Sequence, residues 1–405
     1  MKRLFAPNAA TSTPSKTGSP SFSWTVPKKQ NLKGLKIGFD ARLAYRRGVG
    51  TYTANLLLAL SRVDRQNQYA VFNAPEELRV QIHNPRFEWV DLPFGNPAQY
   101  EQWLLPKAAR ERGLDFLHYT DNSGTTFTDF PFVLTLHDAM HVRPLSRVRP
   151  KPSLWYRLVY AYKQWVVPPS ARKAGQILTV SEYSKKEIER ITGVPEEKIT
   201  ITLEGVDRKA FAQKRRKPSK LFKILVHGAA DDRKNLSNIL KAAQIWKAKN
   251  LPFQLLIVGM DEAELKSTRY LQEAIDLDLG NLLEWVGNVT HDILRAIYAD
   301  VDLFLYPSRL EGFGLPVLEA FSSGVPVVTS KTTSLPEVAG NAAALVDPEN
   351  PEDIAQCVEK LYRKPALRKA LIVKGLARAK QFTWEKTAQL TLPVYQRMGP
   401  REKKD

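Results

Sequence analysis

Cysteine is nearly missing from this sequence of 405 residues, where Cys357 stands alone. A single thiol closes no intrachain disulfide and excludes a zinc site built on cysteines. Cys357 falls in a helix-like run and reads as a buried core thiol, and the scarcity points to a reducing compartment. No stretch approaches the roughly 18–20 apolar residues of a membrane-spanning helix. No apolar run follows Met1-Lys2-Arg3 either, so a signal peptide is not expected and the expected location is the cytoplasm. Acidic residues are missing from residues 1–31, which carry five Lys or Arg and 13 Ser, Thr or Pro. That composition reads as a disordered basic tail.

What is present is an ordinary globular balance, 43% hydrophobic and 25% charged. At roughly 100–200 residues per domain the length suits two or more domains, and it buries a core without staples. The net charge of +18 is unevenly spread. Residues 32–217 carry 30 Lys/Arg against 19 Asp/Glu, a surplus of 11, whereas residues 218–405 carry 25 against 23. A basic first half suits nucleic acid, an anionic membrane surface or an acidic substrate, and charge alone does not choose.

Order is expected from Leu35, with a strand over Leu35-Lys36-Ile37-Gly38-Phe39, a glycine turn at Arg46-Arg47-Gly48-Val49-Gly50 and a helix from Tyr52 to Leu60. Strand, glycine loop and helix open a doubly wound α/β domain. Further strand-like runs lie at 69–72, 87–90, 116–119, 132–136 and 177–180, with a Trp/Tyr-rich helix predicted over 153–167. The stretch 214–220 reads as a basic linker. The alternation then restarts with strands at 222–226, 253–258, 283–286, 302–306, 325–329 and 343–346. Two βα series around a hinge predict two Rossmann-like, doubly wound domains facing a cleft, over 32–213 and 221–380.

The strongest chemical signal is Pro307-Ser308-Arg309-Leu310-Glu311-Gly312-Phe313-Gly314-Leu315-Pro316-Val317-Leu318-Glu319. A buried strand ends at Tyr306, so this loop lies at a strand's C-terminal edge, where α/β folds place ligands. Gly312 and Gly314 permit close backbone approach. Pro316 suits the start of a helix whose positive end points back at the loop. Two carboxylates, Glu311 and Glu319, beside an anion-attracting helix end suit a sugar nucleotide. Their alternative is a capped helix with two solvated acids. A second loop, His227-Gly228-Ala229-Ala230-Asp231-Asp232-Arg233-Lys234-Asn235, follows a strand and precedes a helix, and places Lys234 to meet diphosphate with Arg233 nearby. A surface Arg-Lys pair at a helix start is the plainer explanation. A third, Leu134-Thr135-Leu136-His137-Asp138, runs from a buried strand into His-Asp. His137 is the candidate there, His141 ranks second, and Asp138 is placed to orient the imidazole.

The first of these segments resembles the E-x7-E signature of retaining glycosyltransferases with the GT-B fold, especially glycosyltransferase family 4 (group 1). The likeness extends from Ala299-Asp300-Val301-Asp302 through Gly324-Val325-Pro326-Val327-Val328 to Leu335-Pro336-Glu337-Val338-Ala339-Gly340 and Ala344-Leu345-Val346-Asp347-Pro348. It spans roughly residues 35–398. The resemblance implies donor binding by Gly48, Gly50, Arg233, Lys234, Glu311, Gly312, Phe313, Gly314, Leu315 and Glu319, and catalytic roles for His137, Glu311 and Lys234. It also implies that residues 381–405 form a C-terminal helix crossing back onto the first, acceptor-side domain. Many relatives carry an Arg where Gly228 stands, so part of the usual basic clamp is absent or supplied differently.

The reaction implied is transfer of a hexose, with retention, from a nucleotide sugar of GDP-mannose or UDP-glucose type to an acceptor hydroxyl in surface polysaccharide or glycolipid assembly. No separate cofactor is expected. No metal is expected either, because Asp300-Val301-Asp302 enters a strand and Asp276-Leu277-Asp278 a helix. A nucleotide-sugar epimerase of the same fold and a basic nucleic-acid-binding protein are the rival readings, and no nucleic-acid partner is expected. Between Ala139 and Ser181 stand eight Lys/Arg and no acid, interleaved with Trp155, Tyr156, Tyr160, Tyr162 and Trp165. This pattern suits peripheral contact with the inner face of the cytoplasmic membrane and a saccharide or lipid-linked acceptor; the plainer alternative is a core-facing helix.

Overall fold

The computed structural model describes residues 34–45, 48–140, 154–213, 220–228 and 231–399. The basic tail, nearly all of the 214–220 linker, Arg46, Arg47 and His141 lie outside the described residues, as does the side chain of Trp155.

Two wholly parallel sheets form the framework. The first runs β3-β2-β1-β4-β5-β6-β7 and the second β10-β9-β8-β11-β12-β13. The first comprises β1 (Lys36–Asp40), β2 (Gln68–Phe72), β3 (Phe87–Val90), β4 (Phe116–Tyr119), β5 (Phe132–Thr135), β6 (Gln176–Thr179) and β7 (Ile199–Ile201). The second comprises β8 (Phe222–His227), β9 (Phe253–Val258), β10 (Leu283–Gly287), β11 (Leu303–Tyr306), β12 (Val327–Ser330) and β13 (Ala344–Val346). Central strands β4, β5, β11 and β12 are buried at every position, which explains their continuous apolar runs: helices cover both faces. The expected pair of Rossmann-like domains is what the chain forms. Strand order reverses between β1 and β4 in one sheet and between β8 and β11 in the other. These are the crevices where such sheets take ligands.

Two elements depart from expectation. Strand β7 has only three residues, too few for a period-two pattern to register. The aromatic helix runs over Leu154–Lys173, straight through Pro168 and Pro169. An interior proline costs roughly 3 kcal/mol, but Val166, Val167 and Ala171 bury fully on the first domain's sheet side and hold the last turns in place.

The helix Trp384–Met398 packs along the helix Val49–Val63 of the first domain. Tyr395 anchors it, its hydroxyl 2.7 Å from His118 Nδ1, and the Trp384 ring lies edge-on to Tyr52. Cys357 is half-buried against the second domain's core, and burial pushes its thiol up to about 11.

Candidate active site

Lys234 and Glu311 meet at the reversal point of the second sheet. Lys234 ends a short turn after β8 and its Nζ lies 2.9 Å from Glu311 Oε1. The same oxygen accepts from Ser308 Oγ at 2.6 Å and from the Tyr306 hydroxyl at 2.8 Å. Lys234 also donates to that hydroxyl and sits 4.7 Å from the Tyr306 ring centre. Burial pushes the Glu311 carboxyl up, but Lys234 and Arg233 beside it, with the Ser308 and Lys234 bonds, more than offset this and leave it below its ordinary value. Glu311 is therefore a fixed carboxylate.

Arg233 is turned back onto Asp231, with Nε 2.6 Å from Oδ2. Burial would lower its pKa, but Asp231 and then Glu311 and Asp138 outweigh that and raise it. Its charge thus contributes to the cleft while its donors are held by a neighbour. Gly228 has no room for the arginine that many relatives carry there, since even a Cβ would come 2.8 Å from Ile257 Cγ2.

The helix Leu315–Ser322 begins at Gly314, whose φ of +117° suits glycine, and no side chain caps it. Pro316 carries no amide hydrogen and the Val317 amide donates to the Gly314 carbonyl at 2.9 Å, so the first-turn amide without an intrahelical partner is that of Leu315. Phe313 is buried with its ring edge-on to Phe382, and Leu315 packs on the core. The Phe313 ring is thus closed to a ligand, whereas Leu315 stays part-exposed. Glu319, part-exposed one turn in, is pushed up to about 7 by burial, with Tyr298 and Arg295 opposing and Glu204 adding to the rise. The Tyr298 hydroxyl lies 3.3 Å from Glu319 Oε2 and 3.4 Å from His227 Nε2.

The first domain meets this site directly. Gly312 packs on the backbone of His137, where a Cβ would sit 2.3 Å from the His137 carbonyl oxygen. The Gly312 carbonyl accepts from Ser181 Oγ at 2.6 Å and Ser184 Oγ at 3.0 Å. The Glu182 amide donates to Glu337 at 3.0 Å. The closeness that Gly312 permits is thus an approach of one domain to the other.

His137 itself is 7% exposed. Its Nδ1 lies 3.2 Å from Glu204 Oε1 and its Nε2 3.1 Å from the Thr120 carbonyl, so both nitrogens are held by the protein. Glu204, on the loop after β7, is the carboxyl that orients the ring. Asp138, expected in that role, instead accepts the Met140 amide at 2.9 Å. No spacing marks Glu204 in the sequence; it stands 67 residues from His137 and only folding joins them. Gly48 precedes the helix Val49–Val63 with φ +68°, and no side chain caps that helix. Gly50 lies in its first turn and accepts the Tyr45 amide at 3.1 Å.

No cluster of His, Cys, Asp or Glu suited to a metal ion occurs among the described residues. Asp300 pairs with Lys223 Nζ at 2.6 Å and Asp302 accepts the Lys223 amide at 3.0 Å. Asp278 pairs with Lys247 at 2.5 Å, and Asp276 accepts from Gln272 at 2.7 Å.

Two facing Rossmann-like domains with this reversal-point loop define the GT-B class, and comparison with known proteins places the chain within it. Residues 46–210 match Glycosyltransferase Family 4 and residues 207–378 match the group 1 glycosyl transferases. The chain is 30% identical over 291 residues to the O-antigen chain mannosyltransferase B of Escherichia coli, covering 69% of this chain and 71% of that one. It is 27% identical to the MMP alpha-(1->4)-mannosyltransferase of Mycolicibacterium hassiacum, with 72% of each chain covered. A sucrose-phosphate synthase from Thermosynechococcus elongatus shares the fold with TM-score 0.68 at 18% identity, covering 90% of this chain and 99% of its own. Anabaena HepE, solved in complex with UDP and glucose, does so with TM-score 0.64 at 17% identity, covering 89% and 99%. The chain belongs to the group 1 glycosyltransferases of family 4 and is a glycosyltransferase.

Proposed function

We propose that the chain moves a hexose, mannose before glucose, from a nucleotide sugar to a hydroxyl of a saccharide acceptor in surface polysaccharide assembly, with retention and without a metal. The observation that carries this is the part-buried Lys234–Glu311 pair, its carboxylate three residues ahead of the uncapped helix start at Gly314. The mannosyltransferase relatives favour mannose, hence a donor of GDP-mannose type, with UDP-glucose the alternative.

In this reading Lys234 and the Leu315 amide at the helix start take the diphosphate and stabilise its charge as it departs. Glu311 uses Oε1 for its protein bonds and Oε2 for hydroxyls of the transferring sugar, and Glu319 accepts the ribose diol. His137, locked by Glu204 and Thr120, shapes the wall against which the sugar lies. Catalysis then rests on positioning and leaving-group stabilisation, with the leaving diphosphate oxygens helping to take the acceptor proton. The test is proton NMR of the product formed from an α-linked donor, with and without EDTA. An α-anomer at unchanged rate is expected. An inverted product, or activity lost to chelation and restored by Mg²⁺ or Mn²⁺, contradicts the proposal.

Glu319 gives a pH signature. Its carboxyl sits at about 7 in the unliganded protein, and ribose hydroxyls bind the ionised form. Only the ionised fraction is competent, so donor affinity rises with pH, by about tenfold from pH 6 to pH 8. Calorimetric titration reads this directly. A flat or inverted profile contradicts the assignment, and Glu319→Gln should abolish the slope.

Membrane contact keeps its basic first half but changes its residues. Tyr160 is buried and Tyr162 donates to Glu101 Oε2 at 3.0 Å, so both face inward. The outward set is Leu154, Leu158 and Trp165 with Trp103 and Phe127, all more than half exposed, the last two stacked at 5.4 Å. Aromatic rings beside basic residues suit an anionic lipid surface. No helix among the described residues is long and apolar enough to cross a membrane. Cosedimentation with anionic vesicles should occur at low salt, weaken as salt screens over about 10 Å at 0.1 M, and fall further in Trp165→Ala. Indifference to anionic vesicles at low salt contradicts the membrane reading.

A further inference from the structure

Apart from the extra edge strand β7, the two sheets share one strand order, so the first domain has its own counterpart of the Lys234–Glu311 crevice, between β1 and β4. Asp40 and Arg42 follow β1 there, and Thr120 to Ser123 follow β4. Arg42 Nη2 pairs with Glu101 and lies 2.9 Å from Asp121 Oδ2, while its Nε lies 3.3 Å from Asp40 Oδ2. Lys163 Nζ reaches Ser123 Oγ at 2.5 Å and Asp121 Oδ2 at 3.4 Å. A π-helical turn over Tyr100–Leu104 feeds Tyr100, Glu101 and Gln102 inward in succession, an irregularity common at functional sites.

This corner is incomplete. Arg42 Nη1, Asp40 Oδ2 and the Tyr100 hydroxyl are buried without a hydrogen bond, three of nine such side-chain atoms among the described residues, Asp40 Oδ2 having only its ion pair with Arg42 Nε. Leaving a charged group so costs free energy unless something completes it. The three atoms offer a donor, an acceptor and a group that is both, the complement of adjacent hydroxyls on a ring. Three carboxylates, Asp40, Glu101 and Asp121, face two cations, Arg42 and Lys163, so the corner disfavours an anion. Phe94 is the cover. Its ring centre lies 5.7 Å from the Arg42 guanidinium and 5.3 Å from the Tyr100 ring, and at 49% exposure it can swing aside or stack on a sugar face. The corner adjoins the donor cleft, since Thr120 Oγ1 donates to the Asp40 carbonyl at 3.3 Å while the Thr120 carbonyl meets His137 Nε2.

We propose that the Asp40–Arg42–Tyr100 corner binds an uncharged pyranose ring of the acceptor through its hydroxyls. The assignment rests on the glycosyl-transfer reading above and specifies the acceptor's chemistry: a neutral sugar, not a phosphate, sits next to the transferring group. Tyr100→Phe is the sharpest variant. It removes an oxygen that makes no bond in the free protein, so a merely structural corner loses nothing by it.

The test titrates the full chain with methyl α-pyranosides of mannose, glucose and galactose and with mannose 6-phosphate, in the wild type and in Tyr100→Phe and Asp40→Asn. Expected are saturable binding of at least one neutral pyranoside, mannose 6-phosphate binding no tighter, and about tenfold weaker binding in Tyr100→Phe at an unchanged or higher melting temperature. The proposal is overturned if no neutral pyranoside binds the wild type, if binding survives intact in both variants, or if the phosphate binds tighter. A parallel titration with GDP-mannose and UDP-glucose separates the two levels. Failure of that arm alone overturns the donor reading, whereas intact donor binding with no pyranoside binding overturns only the corner.

Discussion

Lys234→Ala is expected to fold and to lower kcat by on the order of 10²-fold or more, the usual cost of removing a group aimed at developing charge. Among the described residues Lys234 is the cation paired with Glu311, which stands three residues ahead of the uncapped helix start at Gly314. Its loss leaves Glu311 with Ser308, Tyr306 and the charge of Arg233. The carboxyl then shifts up towards its ordinary value, but it is not stranded. Stability should change modestly while turnover collapses at saturating donor. Lys234→Arg keeps the charge but not the point geometry that fits between the Tyr306 ring and Glu311, so it should recover activity only in part. Steady-state kinetics with the cognate donor checks this, and near wild-type kcat in Lys234→Ala refutes the role.

Gly312→Ala should be as damaging for a different reason. The added methyl would stand 2.3 Å from the His137 carbonyl oxygen and 3.0 Å from Asp138 Cβ. The His137 carbonyl lies on the buried segment just past β5 and is held by the Ser184 hydroxyl at 2.9 Å, so the domains must part. Parting costs the Ser181 and Ser184 bonds to the Gly312 carbonyl and strains the Glu182–Glu337 contact. Misplacement by about 1 Å of groups that must converge costs about 10²-fold in rate. Each domain keeps its own sheet and core, so the melting temperature should fall little while kcat falls about 10²-fold. Small-angle scattering should show a more open particle. Unchanged kinetics would show that the closed arrangement is not the working one.

Much of this was legible from the residues. Buried strands announce themselves as apolar runs, and the loop from Pro307 to Glu319 carries its own punctuation of strand end, glycines and helix-starting proline. The partners that tune the loop do not. Tyr306 and Ser308 are a strand end and a loop serine until folding brings their oxygens onto Glu311. Glu204 joins His137 only when the chain after β7 passes beneath the C-terminal helix, where Gly205 packs on Trp384. Asp138 adjoins His137 in sequence and was the obvious carboxylate, but a loop neighbour bonds its own backbone more readily than a side chain beside it. The resemblance assigns Phe313 to donor binding, and its ring lies in the core, edge-on to Phe382. Burial divides the aromatic helix, turning Tyr160 and Tyr162 inward and leaving Trp165 outside. Periodicity finds faces and motifs find loops; contacts between distant loops need the tertiary structure.

The central claim is that Lys234, Glu311, Glu319 and the helix start after Gly314 form one cradle for a nucleotide sugar. Calorimetric titration of the wild type, Lys234→Ala and Glu319→Gln with GDP-mannose and UDP-glucose addresses it most directly. The account predicts saturable one-to-one binding of one donor to the wild type and at least tenfold weaker binding in each variant. Absence of binding to the wild type, or equal affinity in all three proteins, would contradict it.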